Sequence, residues 1–87
     1  MKEKMEQSVN KLREQVANME TGSAINKSEM AQLVDDLHHH LEHPEDREHL
    51  KGLTEKIPEF IAKLEAEHPG IAETLNEIMV ILSNMGI

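Results

Sequence analysis

The chain has 87 residues, with nine Lys plus Arg, seventeen Asp plus Glu, six His, one Phe, and no Cys, Trp or Tyr. That length holds one domain, and the absence of cysteine excludes a disulfide framework, a thiolate metal site and a thiol nucleophile. A formal charge of −8 argues against nucleic acid as a partner, because phosphate contacts need a basic surface.

Leu, Ile, Val and Phe number 21 of 87, enough apolar content for a folded chain with a small core. No stretch approaches the roughly 18 apolar residues of a spanning helix, and the first 25 residues lack the apolar run of a signal peptide. The expectation is a soluble, cytoplasmic, single-domain protein with no membrane partner. The charge is unevenly placed, at +1 over residues 1–27 and −9 over residues 28–87. The bland reading is that the acids keep a small helical protein in solution. The sharper one is an acidic adaptor for a basic protein partner.

The first predicted element covers about 3–20, where Met5, Val9, Leu12, Val16 and Met19 follow one another at 4-3-4-3 spacing. Gly22 suits the left-handed position that closes a helix. The second element, about 26–42, carries Met30, Val34, Leu37 and Leu41, with Leu33 widening the stripe. Asn26 and Glu29 form a capping box around its start, and Ile25 and Met30 sit where a hydrophobic staple would place them. Pro44 should end this helix near His43 and serve as the first residue of the next.

The third element, about 45–66, has Leu50, Leu53, Ile57, Phe60 and Leu64 in register, with Ile61 beside them. Gly52 and Pro58 interrupt it, since an interior proline costs about 3 kcal/mol or more. A kink or short break within 52–58 is therefore expected, with Thr54 able to cap a fresh start. The last element, about 69–85, opens at His68-Pro69-Gly70 and carries Ile71, Leu75, Ile78, Leu82 and Met85. These periods predict an all-α fold of three to four amphipathic helices in a hairpin or bundle arrangement with heptad-like packing, one domain over residues 1–87.

Only the last stripe overflows. Ile78, Met79, Val80, Ile81 and Leu82 are consecutive and surround the helix, so a four-helix monomer should leave Val80 and Ile81 in water. Either this helix is central, or the run is a self-association surface, and the second reading predicts a homodimer through helical faces.

The histidines supply the one chemically suggestive pattern. His38, His39 and His40 are consecutive and His43 follows. His39 and His43 are one turn apart, with Asp35 and Asp36 a turn earlier, so a Zn, Ni or Cu site can be drawn from these four residues. Adjacent helical residues diverge by about 100°, however, so the three neighbouring rings cannot converge on one ion, and His39 should face solvent. Histidines late in a helix also suit its negative end for electrostatic reasons alone. The expectation is no resident metal or cofactor. His49 and His68 stand apart from the run, and His68 is placed to cap the fourth helix.

Ser8, Ser23, Ser28 and Ser83 lie in no nucleophile context, no glycine-rich phosphate loop exists, and one aromatic residue gives little from which to build a ligand pocket. The chain reads as a non-enzymatic interaction or scaffold module. Methionines on the stripes read as ordinary core filler, although methionine-rich faces also adapt to partner helices.

Leu64-Glu65-Ala66-Glu67-His68-Pro69, followed by a helix ending Met85-Gly86-Ile87, resembles the C-terminal signature of a family of short bacterial helical proteins, domain-of-unknown-function family 4404. The specific likeness lies in residues 64–87, and the upstream order of helices fits. The resemblance implies a bacterial helical protein with no assigned activity, and no catalytic residues to carry over. Gly52, Pro58 and the His38–His40 run look particular to this chain.

Overall fold

A computed structural model describes residues 2–19 and 27–84. Over these residues the chain forms four helices, α1 (Lys2–Ala17), α2 (Lys27–Glu42), α3 (Arg47–Leu64) and α4 (Pro69–Asn84), and no strand. The stripes turn inward as their spacing requires. Met5, Val9, Leu12, Val16 and Met19 meet Met30, Leu33, Val34 and Leu37, then Leu50, Leu53, Ile57 and Leu64, then Ile71, Leu75, Ile78 and Leu82, in one core. Gly22, Ile25, Asn26, Met85 and Gly86 lie outside the described residues, so of the predicted start signal of α2 only Glu29, exposed in the first turn, and the fully buried Met30 are described.

The helices run up and down. Lys27 Nζ donates to the Ala17 carbonyl at 3.0 Å and Arg13 donates to His38, which sets α1 antiparallel to α2. Gln15 Nε2 donates to the Gly70 carbonyl at 3.3 Å, joining the end of α1 to the start of α4. α1 packs extensively on α2 and α4, and α4 on α1 and α3, whereas α2 and α3 touch only thinly. The bundle is therefore closed on three sides and loose on the fourth.

Three expectations are corrected. First, of the kink or short break expected within 52–58 the break does not occur, because α3 is continuous from Arg47 to Leu64 through Pro58. Pro58 is exposed, so its missing N–H and ring fall on the outer face, and Thr54 bonds back into the helix through Oγ1 to the Lys51 carbonyl at 2.8 Å instead of capping a new start. Buried Leu53, Ile57 and Leu64 hold the element together across the weak position. Second, α3 begins after Pro44. Asp46 is its N-cap, and its side chain accepts from the His49 backbone N–H at 3.1 Å. A carboxylate one turn before free N–H groups outcompetes proline as a start signal, since it supplies the acceptor that proline lacks. Third, Ile81 does not lie in water. It is 6 % exposed, within the core alongside the fully buried Ile78 and Leu82, because α4 is flanked by two helices and buries a wide arc. Of the five-residue run only Val80, at 51 %, is strongly exposed, with Met79 half-buried beside it.

Histidine corner and α2–α3 groove

At one end of the loose side, the last turn of α2 meets the first turn of α3 through four residues of turn. Periodicity places His40 on the buried face of α2, three residues after Leu37, and it is buried there at 2 % exposure. Asp46 fixes the start of α3 and thereby sets His49 against α2. The rings of His39 and His49 lie 4.3 Å apart between centroids, and those of His39 and His43 4.9 Å. His39 keeps a solvent face, its side chain 42 % exposed, with these two rings alongside it.

Each of these three rings has a carboxylate. His39 Nε2 donates to Asp46 at 3.2 Å, His43 Nδ1 donates to Glu45 at 3.3 Å, and His49 Nε2 stands 3.7 Å from Asp36. Asp36 also faces Lys56 Nζ at 3.6 Å. The Asp46 carboxyl is held below its ordinary value, first by the His49 backbone N–H and then by the His39 ring. Glu45 is lowered likewise, chiefly by its own backbone N–H and then by His43. His40 has no carboxylate among its described partners, and its Nδ1 lacks a hydrogen bond, as does His49 Nδ1.

The four residues considered for a metal do not assemble. Asp35 is exposed, Asp36 is directed to α3, and His39 and His43 are each turned to a different acid. Among the described residues no group of three or more His, Cys, Asp or Glu is placed to hold an ion. His38 accepts from Arg13 and takes no part in the corner. His68 does close the α3–α4 turn, but through its backbone. Its carbonyl accepts from Ile71 and Ala72, both at 3.1 Å, while its ring Nε2 is buried without a partner.

Along the rest of the α2–α3 side runs a groove of about 350 Å³. Leu33 and Phe60 form its floor, and Glu29, Gln32, Lys56, Glu59 and Lys63 its walls. Phe60, the only aromatic residue of the chain, is half-buried against the core. The two glutamates and two lysines cancel, so the groove is locally neutral on a chain of charge −8.

Sequence reasoning missed both the partnership of His49 and this groove. For His49 a signal was present, the Asp46-x-x-His49 spacing of an N-cap. For the groove there was none beyond the isolated aromatic, because a seam between two helices depends on their separation. No helix of the described residues is long and apolar enough to cross a membrane. No curated protein and no solved structure matches the chain. A family profile does match, over residues 5–87, and by that match the chain belongs to the family described as "Domain of unknown function (DUF4404)".

Proposed function

We propose that the chain is a cytoplasmic, non-enzymatic helical module that self-associates, and that the α2–α3 groove is where a second copy docks. The observation that supports this is the neutral groove with an aromatic floor. A two-fold interface sets one patch against itself, so the patch must be self-complementary. Residues 28–87 carry −9 and repel a second copy where their acids are exposed, whereas Glu29, Glu59, Lys56 and Lys63 set equal charges of both signs around Leu33 and Phe60. Aromatic side chains ringed by polar groups are common anchors of such contacts. The α4 run expected to serve this purpose is reduced to Val80 and part of Met79, which supports it less well.

The test is light-scattering mass across a concentration series, with circular dichroism as the check on folding. Lys56→Glu with Lys63→Glu changes the rim from neutral to −4 without touching the floor. A dimeric wild type, a dimeric Val80→Glu and a monomeric double-lysine variant are expected. A wild type that stays monomeric overturns self-association. A dimer dissolved by Val80→Glu and indifferent to the lysine reversals moves the interface to α4.

A further inference from the structure

The acid–base balance at the α2–α3 corner is uneven, and the odd group is the buried one. His39, His43 and His49 each stand within 3.7 Å of a carboxylate, so a proton gained by any of them completes an ion pair. His40 is the most buried of the four and has none. Its charged neighbours are other imidazoles, His39 on its own helix and His49 from α3. Beyond His49, α3 presents Lys56, already facing Asp36. The turn presents Glu45 and Asp46, engaged by His43 and His39. From α1, Glu6 lines the neighbouring hollow with His38, Leu41 and Glu42. α4 does not pack on α2.

We propose that His40 is a proton-sensitive latch of the α2–α3 side: neutral, it packs into the seam, and protonated, it releases α3's first turns from α2. A buried imidazolium without a counter-charge is costly, and the chain escapes that cost by exposing the ring to water. The seam at stake is already the thinnest of the bundle, so it opens before the α1–α4 and α3–α4 contacts do. Burial, followed by the His49 and His39 charges, pushes His40 below the ordinary imidazole value of 6.5. The sign follows from this: the open state binds the proton more readily, so the closed state is fully favoured above pH 6.5 and loses ground as pH falls below it. Uptake of one proton sets a ceiling of about tenfold per pH unit on the opening constant. The latch lies within a single chain and stands independently of self-association.

Hydrogen–deuterium exchange on the full chain, at pH about 7.5 and about 5.5 and corrected for intrinsic exchange, reads the latch directly. Protection over residues 37–53 is expected to fall up to about tenfold at the lower pH while residues 9–16 and 71–82 hold. The selective loss should disappear in His40→Leu and persist in His43→Leu. The same selective loss in His40→Leu, or a uniform loss along the wild-type chain, overturns the proposal. An imidazole titration of the wild type by nuclear magnetic resonance covers the case in which His40→Leu does not fold. A His40 midpoint at or above 6.5 likewise overturns it.

Discussion

Replacing Pro58 should make this protein more stable, and the structure gives the size of the effect. Pro58 lies inside α3, where it offers no N–H to the Thr54 carbonyl and presses its ring against that group. Its side chain is exposed, so Pro58→Ala forfeits no core packing. In a helix interior proline is about 3 kcal/mol worse than alanine. Proline also stiffens the unfolded chain, an advantage of about 0.4–1 kcal/mol that the substitution gives up. The net gain is about 2 kcal/mol, against a whole stability of roughly 4–13 kcal/mol for a chain this long.

For a domain of this size such a gain raises the thermal midpoint by about 8–16 °C. Urea unfolding followed by far-ultraviolet circular dichroism measures it without an aromatic reporter, with Pro58→Gly expected between wild type and Pro58→Ala. A Pro58→Ala protein no more stable than wild type would refute the reasoning. It would mean that α3 needs the geometry proline imposes in order to seat both Ile57 and Phe60.

Gly52→Ala in the same helix should add about 0.8–1 kcal/mol, because the new methyl meets no heavy atom within 4 Å and the gain is propensity alone; an unchanged urea midpoint counts against it. Ile81→Ala should lose about 2–5 kcal/mol while Val80→Ser stays within about 0.5 kcal/mol, and equal losses in chemical denaturation would contradict the buried position of Ile81. Asp46→Ala removes both the N-cap of α3 and the partner of His39, and should lower the midpoint at neutral pH. The Asp46 carboxyl is depressed in the folded chain, so its contribution is present above the unfolded value near 3.9 and fades as pH falls through the folded one. The wild-type and Asp46→Ala midpoints should therefore converge in acid; a gap that persists there removes the charge from the explanation.

The helices were legible because their information is local. Met5 to Met19 and Ile71 to Leu82 recur at the period of one face, and no tertiary contact is needed to read it. The start of α3 was misread because two local signals competed, Pro44 and Asp46, and only the backbone shows which one the His49 N–H selects. The continuity of α3 was hidden for a different reason. The cost of Pro58 is a property of the residue, whereas the burial that offsets it at Leu53, Ile57 and Leu64 belongs to the assembled bundle. The histidine corner falls in the same class. The run 38–40 drew attention by adjacency, yet its members separate: His38 turns to α1, His39 joins His43 and His49, and His40 enters the core.

Periodicity says which residues share a face but not how many neighbours that face meets. α4 lies between α1 and α3 and so can bury two flanks, which is why Ile78, Ile81 and Leu82 are all enclosed and Val80 alone is left out. α2 has α1 on one flank and only a thin contact with α3 on the other, so its narrower stripe is sufficient for the neighbours it has. The apolar surplus of the sequence is thus consumed where the helix is most enclosed. The remaining accessible aromatic surface appears where the bundle is least closed, at Phe60. An interface sought from composition alone goes to the most apolar helix, whereas one sought from packing goes to the seam with the fewest neighbours. The proposed docking of a second copy rests on the second criterion, because a helix flanked on both sides has little apolar surface left to offer.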